Sequence, residues 1–152
     1  MGQSAIAQKF TPTSNPSFDS LILKAYDLRF VNWDSAMTLI NQAQTFPELT
    51  PLQQTMIANQ LGALHYIKGD YPLSLSFYSD AIELLEKSPD LPQEALALNG
   101  RGLIYLSQDE FGQAAAIFEK CAEINFSIGD TGRVAASYFN QGIALDELEK
   151  YD

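Results

Sequence analysis

The sequence predicts an all-α solenoid of antiparallel helix pairs, because the same kinds of residue return at a fixed step of forty. Glycine recurs at Gly62, Gly102 and Gly142, and an aromatic keeps the step at Tyr71, Phe111 and Tyr151. Two further columns hold the same phase, Tyr78 with Phe118 and the small pair Ala81 with Cys121. Self-similarity at this period marks stacked supersecondary units, each covering its apolar face with the next.

The elements follow in order. Two helices near 17–30 and 33–46 form a degenerate first unit: Trp33 takes the turn-aromatic column, Ala36 and Ala43 the small columns, with Ile40 between them. Lys24 and Asp27 stand where later units carry glycine and an aromatic, which suits a terminal unit with a single neighbour. Thr50-Pro51-Leu52-Gln53 is a capping box with proline at the first helical position, opening a helix near 51–68. Along it Leu61, Gly62, His65 and Tyr66 share one stripe. Gly69-Asp70-Tyr71 breaks that period, and Ser74, Tyr78, Ala81 and Leu85 then draw a second stripe over 71–87. Asp90-Leu91-Pro92-Gln93 repeats the start signal for 91–107, and 110–127 carries Phe111, Ala114, Phe118 and Cys121. A last helix near 131–148 begins after the N-cap candidate Asp130. A glycine inside a helix costs about 1 kcal/mol, so the glycine column implies two helix backbones in close approach. The turn-forming Thr11-Pro12-Thr13-Ser14-Asn15-Pro16 makes 1–16 a flexible arm, leaving a repeat domain over 17–152 with units near 17–50, 55–94, 95–134 and a truncated 135–152.

The string Leu61-Gly62-Ala63-Leu64-His65-Tyr66-Ile67-Lys68-Gly69-Asp70-Tyr71 resembles the tetratricopeptide repeat. The second unit supplies the family's columns with Leu61, Gly62, Tyr71, Ser74, Tyr78 and Ala81, and the third with Gly102, Tyr105, Phe111, Ala114, Phe118 and Cys121. His65 and Leu145 depart from an aromatic column, and Arg101 and Gln141 from a leucine column. The resemblance implies a right-handed superhelix of alternating helices A and B, with helix A lining a concave groove. The usual unit has about 34 residues. The extra length here is expected in 86–92 and 125–130, which implies a long helix B and resembles the long-repeat subclass of bacterial sensors and regulators and of some animal scaffolds. Leu21 to Ala43 resembles, more weakly, the opening of the N-terminal repeat segment of bacterial sensor histidine kinases.

Composition narrows the function. Nineteen acidic and nine basic residues give a formal charge of -10 without any basic cluster, which disfavours nucleic acid and anionic membranes. Asp80, Glu83 and Glu86 read as a solvated helix face. No apolar run of membrane-spanning length and no signal core occurs, and Met1-Gly2 lacks the serine or threonine that myristoylation needs, Ile6 standing there instead. His65 occupies a packed column facing helix B, and Cys121 a small-residue contact, so neither reads as a base or a nucleophile. One cysteine and one histidine cannot supply the usual zinc set, and the glycines carry no phosphate-loop ending. The expectation is therefore a non-enzyme without cofactor or metal. Its compartment is left open between cytoplasm and, for a sensor segment, periplasm.

The resemblance also implies where a partner binds. Carried onto this chain, the groove positions include Asn59, Gln60 and Tyr66 in the second unit, Asn99 and Leu103 in the third, and Phe139, Asn140 and Ile143 in the fourth. Asn59, Asn99 and Asn140 would form an amide ladder for an extended peptide backbone, with Tyr66, Leu103 and Phe139 as apolar contacts. The family's carboxylate-clamp positions fall on Leu21, Ala25, Gln60, Leu96 and Gly100, or one unit on, and neither register offers a cation. The expected function is a protein or peptide interaction module. The alternative is a ligand-sensing domain of a bacterial sensor histidine kinase or transcriptional regulator. Tyr151 reads as the turn aromatic of the fourth unit, so Gly142, Leu145 and Leu148 are expected to lack cover and to support self-association through the C-terminal helix.

Overall fold

In the computed structural model, which describes residues 10–151, seven helices alternate in direction and each packs on its neighbour in sequence. Helix α1 (Pro16–Leu28) pairs with α2 (Trp33–Gln44), α3 (Pro51–Ile67) with α4 (Tyr71–Lys87), and α5 (Leu91–Ser107) with α6 (Phe111–Ser127); α7 (Thr131–Tyr151) packs on α6. Helices α1, α3 and α5 also touch in succession, so the units stack as an all-α solenoid. Five starts are capped by a side chain accepting from the backbone three residues on, at Asn15, Asn32, Thr50, Asp70 and Asp90. The Thr50–Gln53 capping box closes from both sides. Asp130 Oδ1 accepts from Arg133 N at 3.0 Å in the same manner, each such cap contributing about 1 kcal/mol.

Helices α3, α4, α5 and α6 have seventeen residues each, joined by connections of three. The period is thus shared evenly between helix A and helix B. The stretches 86–92 and 125–130, where the extra length was expected, divide between helix ends and short turns: 86–87 and 125–127 close α4 and α6, and Leu91-Pro92 opens α5, where proline's missing N–H is no loss. The A-to-B turns use a left-handed residue, Gly69 at φ 78° and Asp109, in the same phase, at φ 61°. At that phase α7 carries Glu149 and Lys150, and no turn forms, so Tyr151 is the last helical residue and not a post-turn aromatic. Lys150 Nζ reaches Asp146 Oδ2 at 2.9 Å and Glu147 Oε1 at 2.6 Å, stapling the helix across the place where a glycine would have ended it.

The core explains the glycine column, and corrects it. A Cβ at Gly62 would lie 2.8 Å from the Tyr78 ring, and one at Gly102 2.8 Å from the Phe118 ring. The glycines therefore seat an aromatic ring from helix B; they do not bring two backbones together. A Cβ at Gly100 would also overlap the Tyr78 ring, so Tyr78 is clasped between its own unit and the next. Burial there pushes its phenol well above the ordinary tyrosine range. Polar ties reinforce the stack: Ser74 Oγ donates to Gly62 O at 2.7 Å within unit two, and Trp33 Nε1 donates to Leu64 O at 2.8 Å between units one and two. Of the arm expected over 1–16, residues 1–9 lie outside the described residues. The remainder is tied down. Phe10 packs on the first core cluster, and Thr13 N and Oγ1 donate to the buried Asp19 carboxylate at 2.9 and 2.7 Å.

Gly102→Leu should therefore cost about 2 kcal/mol or more by driving the Phe118 ring out of its seat. A thermal melt checks this, and an unchanged midpoint would contradict the seat.

Candidate partner-binding groove

Helices α1, α3, α5 and α7 surround one indented face. Three cavities of about 30, 120 and 170 Å³ open there, and all three share Tyr26 and Leu96 as wall residues, so they are parts of one cleft. The seventeen-residue A helices place the wall by phase: Gln60, Ala63 and Tyr66 of α3 stand opposite Leu96, Asn99 and Leu103 of α5. The Tyr66 ring packs 5.6 Å from that of Tyr71.

The sequence-expected residues divide. Asn59, Gln60, Tyr66, Asn99 and Leu103 line the cleft. Phe139, Asn140 and Ile143 do not, and Phe139 is 70% exposed. Helix α7 meets the cleft through Arg133, Ala136 and Ser137 in its first two turns, with Arg133 and Ala136 forty residues after the wall residues Gln93 and Leu96, so its phase holds while Phe139, Asn140 and Ile143 lie beyond the cavities. The amide ladder is also broken at its first rung. Asn59 is only 4% exposed, and its Nδ2 donates to Gln93 O at 3.0 Å and Gln93 Oε1 at 2.9 Å, fastening α3 to α5. Asn99 is half-buried and faces both larger cavities.

Two arginines enter the cleft from outside the family positions. Arg29, at the end of α1, stacks its guanidinium 3.5 Å from the Tyr26 ring centre and 4.7 Å from that of Phe30, and donates to Tyr26 O. Arg133, in the first turn of α7, is steered by Asp130, with Nε 3.7 Å from Oδ2. The clamp positions themselves carry no cation, as the sequence indicated, yet the cleft is not without cations. Tyr26, Arg29 and Phe30 follow helical i, i+3, i+4 spacing, a signal hidden because the first unit is degenerate.

The remaining reactive residues are packed. His65 stacks on Phe77 with ring centres 5.4 Å apart, and its Nδ1 is 4.0 Å from Asp70 Oδ2. Cys121 is fully buried against Ala95 O, and burial pushes its thiol up to about 12. Among the described residues no three His, Cys, Asp or Glu side chains gather to hold a metal ion, and no helix is long and apolar enough to cross a membrane. Because the thiolate is the reactive form, Cys121 should resist iodoacetamide at pH 8 in the folded protein and react fully in denaturant. Mass spectrometry reads both states.

Residues 53–125 match the family model of the tetratricopeptide repeat. The match starts in the first turn of α3 and ends in the last turns of α6, covering the two hairpins whose glycine, aromatic and small columns are complete. No curated protein and no solved structure matches the chain significantly. The repeat is a helical scaffold that generally mediates contacts between proteins. With glycine-seated rings in both matched hairpins and a third helix A following at the same step, residues 53–125 carry tetratricopeptide repeats.

Proposed function

We propose that this chain is a protein-interaction module that holds an extended peptide in the cleft between α1, α3, α5 and α7. The observation that carries this reading is the wall of the 120 Å³ cavity. Tyr66, Ala63, Leu96 and Leu103 offer apolar pockets, and Asn99 offers both a donor and an acceptor for a peptide backbone. Asn99→Ala should weaken binding of a partner peptide several-fold, about 1 kcal/mol for one hydrogen bond. Glu83→Ala, on α4 and away from the cleft, should leave it unchanged. Equal losses in a calorimetric titration would sink the assignment.

A second face supports self-association. Helix α7 exposes Tyr138, Phe139, Ile143 and Leu145, and a Cβ at Gly142 would meet nothing within 4 Å, whereas Gly62 and Gly102 each seat a ring. The same helix from a second copy fits such a face, because a two-fold contact sets one patch on itself. Sedimentation over a wide dilution series should give a mass that rises with concentration, and Leu145→Glu should abolish the rise. A strict monomer at high concentration would refute it.

A further inference from the structure

Among the described residues, five buried side-chain atoms have no hydrogen-bond partner in the protein: Asn59 Oδ1, Gln60 Oε1, Arg101 Nε, Asn125 Oδ1 and Arg133 Nη1. Four of the five belong to residues that wall the cleft. Buried polar groups are ordinarily satisfied, so this concentration in one place points to a ligand and describes it. Three of the four are amide oxygens, which need donors, and the fourth is a guanidinium nitrogen, which needs an acceptor. Gln60 and Asn125 are 6% and 2% exposed, so their oxygens are fixed in the wall and are not free surface groups.

Charge sharpens the description. Although the chain has nineteen acidic and nine basic residues, among the described residues no aspartate or glutamate lines any of the three cavities, and Arg29 and Arg133 are the only charged ones that do. Both face the 170 Å³ cavity. Arg29 is already held flat by its stacking on Tyr26, and Arg133 by Asp130, so neither guanidinium loses much freedom on binding.

We propose that the cleft selects acidic segments: one aspartate or glutamate carboxylate of an extended peptide lies between Arg29 and Arg133, while neighbouring backbone N–H groups donate to Gln60 Oε1 and Asn125 Oδ1. This rests on the peptide reading above and adds the chemistry of the peptide. A side-chain carboxylate fits better than a chain terminus, because the cleft continues on both sides of the cavity that Arg29 and Arg133 share. It runs toward Phe10 and Ile22 at one end and toward Tyr66 and Leu103 at the other.

The test uses the full chain and a library of acetylated, amidated peptides with one central glutamate, against the same library with glutamine, read by fluorescence anisotropy. The best glutamate peptide should bind about tenfold or more tightly than its glutamine twin, the range of a charged hydrogen bond. Arg133→Gln should remove that preference, Arg133→Lys should keep part of it, and circular dichroism shows whether each variant is folded. Arg29→Gln is the independent second variant. Equal binding of the two libraries, no binding by either, or a preference that survives both arginine substitutions would overturn the proposal. Full displacement of the peptide by acetylglutamate amide at comparable concentration would also overturn it, since the site would then hold a small acid. If Asn99→Ala weakens a peptide that shows no preference for glutamate, the groove stands and only its acidic selectivity fails.

Discussion

The fit of an aromatic ring into the notch left by a glycine is the constraint on which the stack depends. Tyr78 against Gly62 and Phe118 against Gly102 fix the spacing of helix A and helix B within a unit, and Gly100 extends the same seat across a unit boundary. Close packing makes such a fit discrete, because any atom added to the seat must displace the ring and nearby space is already filled. The small column serves this geometry. Ala81 and Cys121 are fully buried and let helix B lie close enough for its ring to reach the glycine.

Once the A helices are spaced in this way, the cleft wall is set with them. The Asn59 amide bridging to Gln93 and the Trp33 indole bonded to Leu64 O join consecutive units by directional contacts, where apolar packing alone would allow sliding. The cleft is consequently held by the same ties that hold the stack. Its polar wall atoms lie in a rigid frame, the condition under which a few well-placed groups give specificity.

Much of this was legible in the residues. The forty-residue step fixed the alternation of helices, and Thr50-Pro51-Leu52-Gln53 and Asp90-Leu91-Pro92-Gln93 marked two helix starts correctly, because caps and prolines act locally. Gln60, Tyr66, Asn99 and Leu103, which the resemblance to the repeat assigns to its groove face, line the cleft. What escaped needed relations between elements. The position of Phe139 beyond the cavities, the withdrawal of Asn59 into a bond with Gln93, and the entry of Arg29 from a unit with a poor repeat signature all arise from packing partners distant in sequence. The missing turn before Tyr151 is a local case that periodicity overrode: Glu149 and Lys150 favour helix where unit two has Gly69.

The connections of three residues between α3, α4, α5 and α6 leave the chain no slack. A solenoid with loose loops can bend at its links, as a hinged ruler does. Here the links are too short to absorb displacement, so any widening of the cleft must be distributed over the helix interfaces as small sliding movements, in the manner of a coil spring. The stiffness of that spring is set by how far Tyr78 and Phe118 can slide within their glycine notches. A change made at either ring, within the core, would thereby be felt as a change in the width of the cleft's mouth.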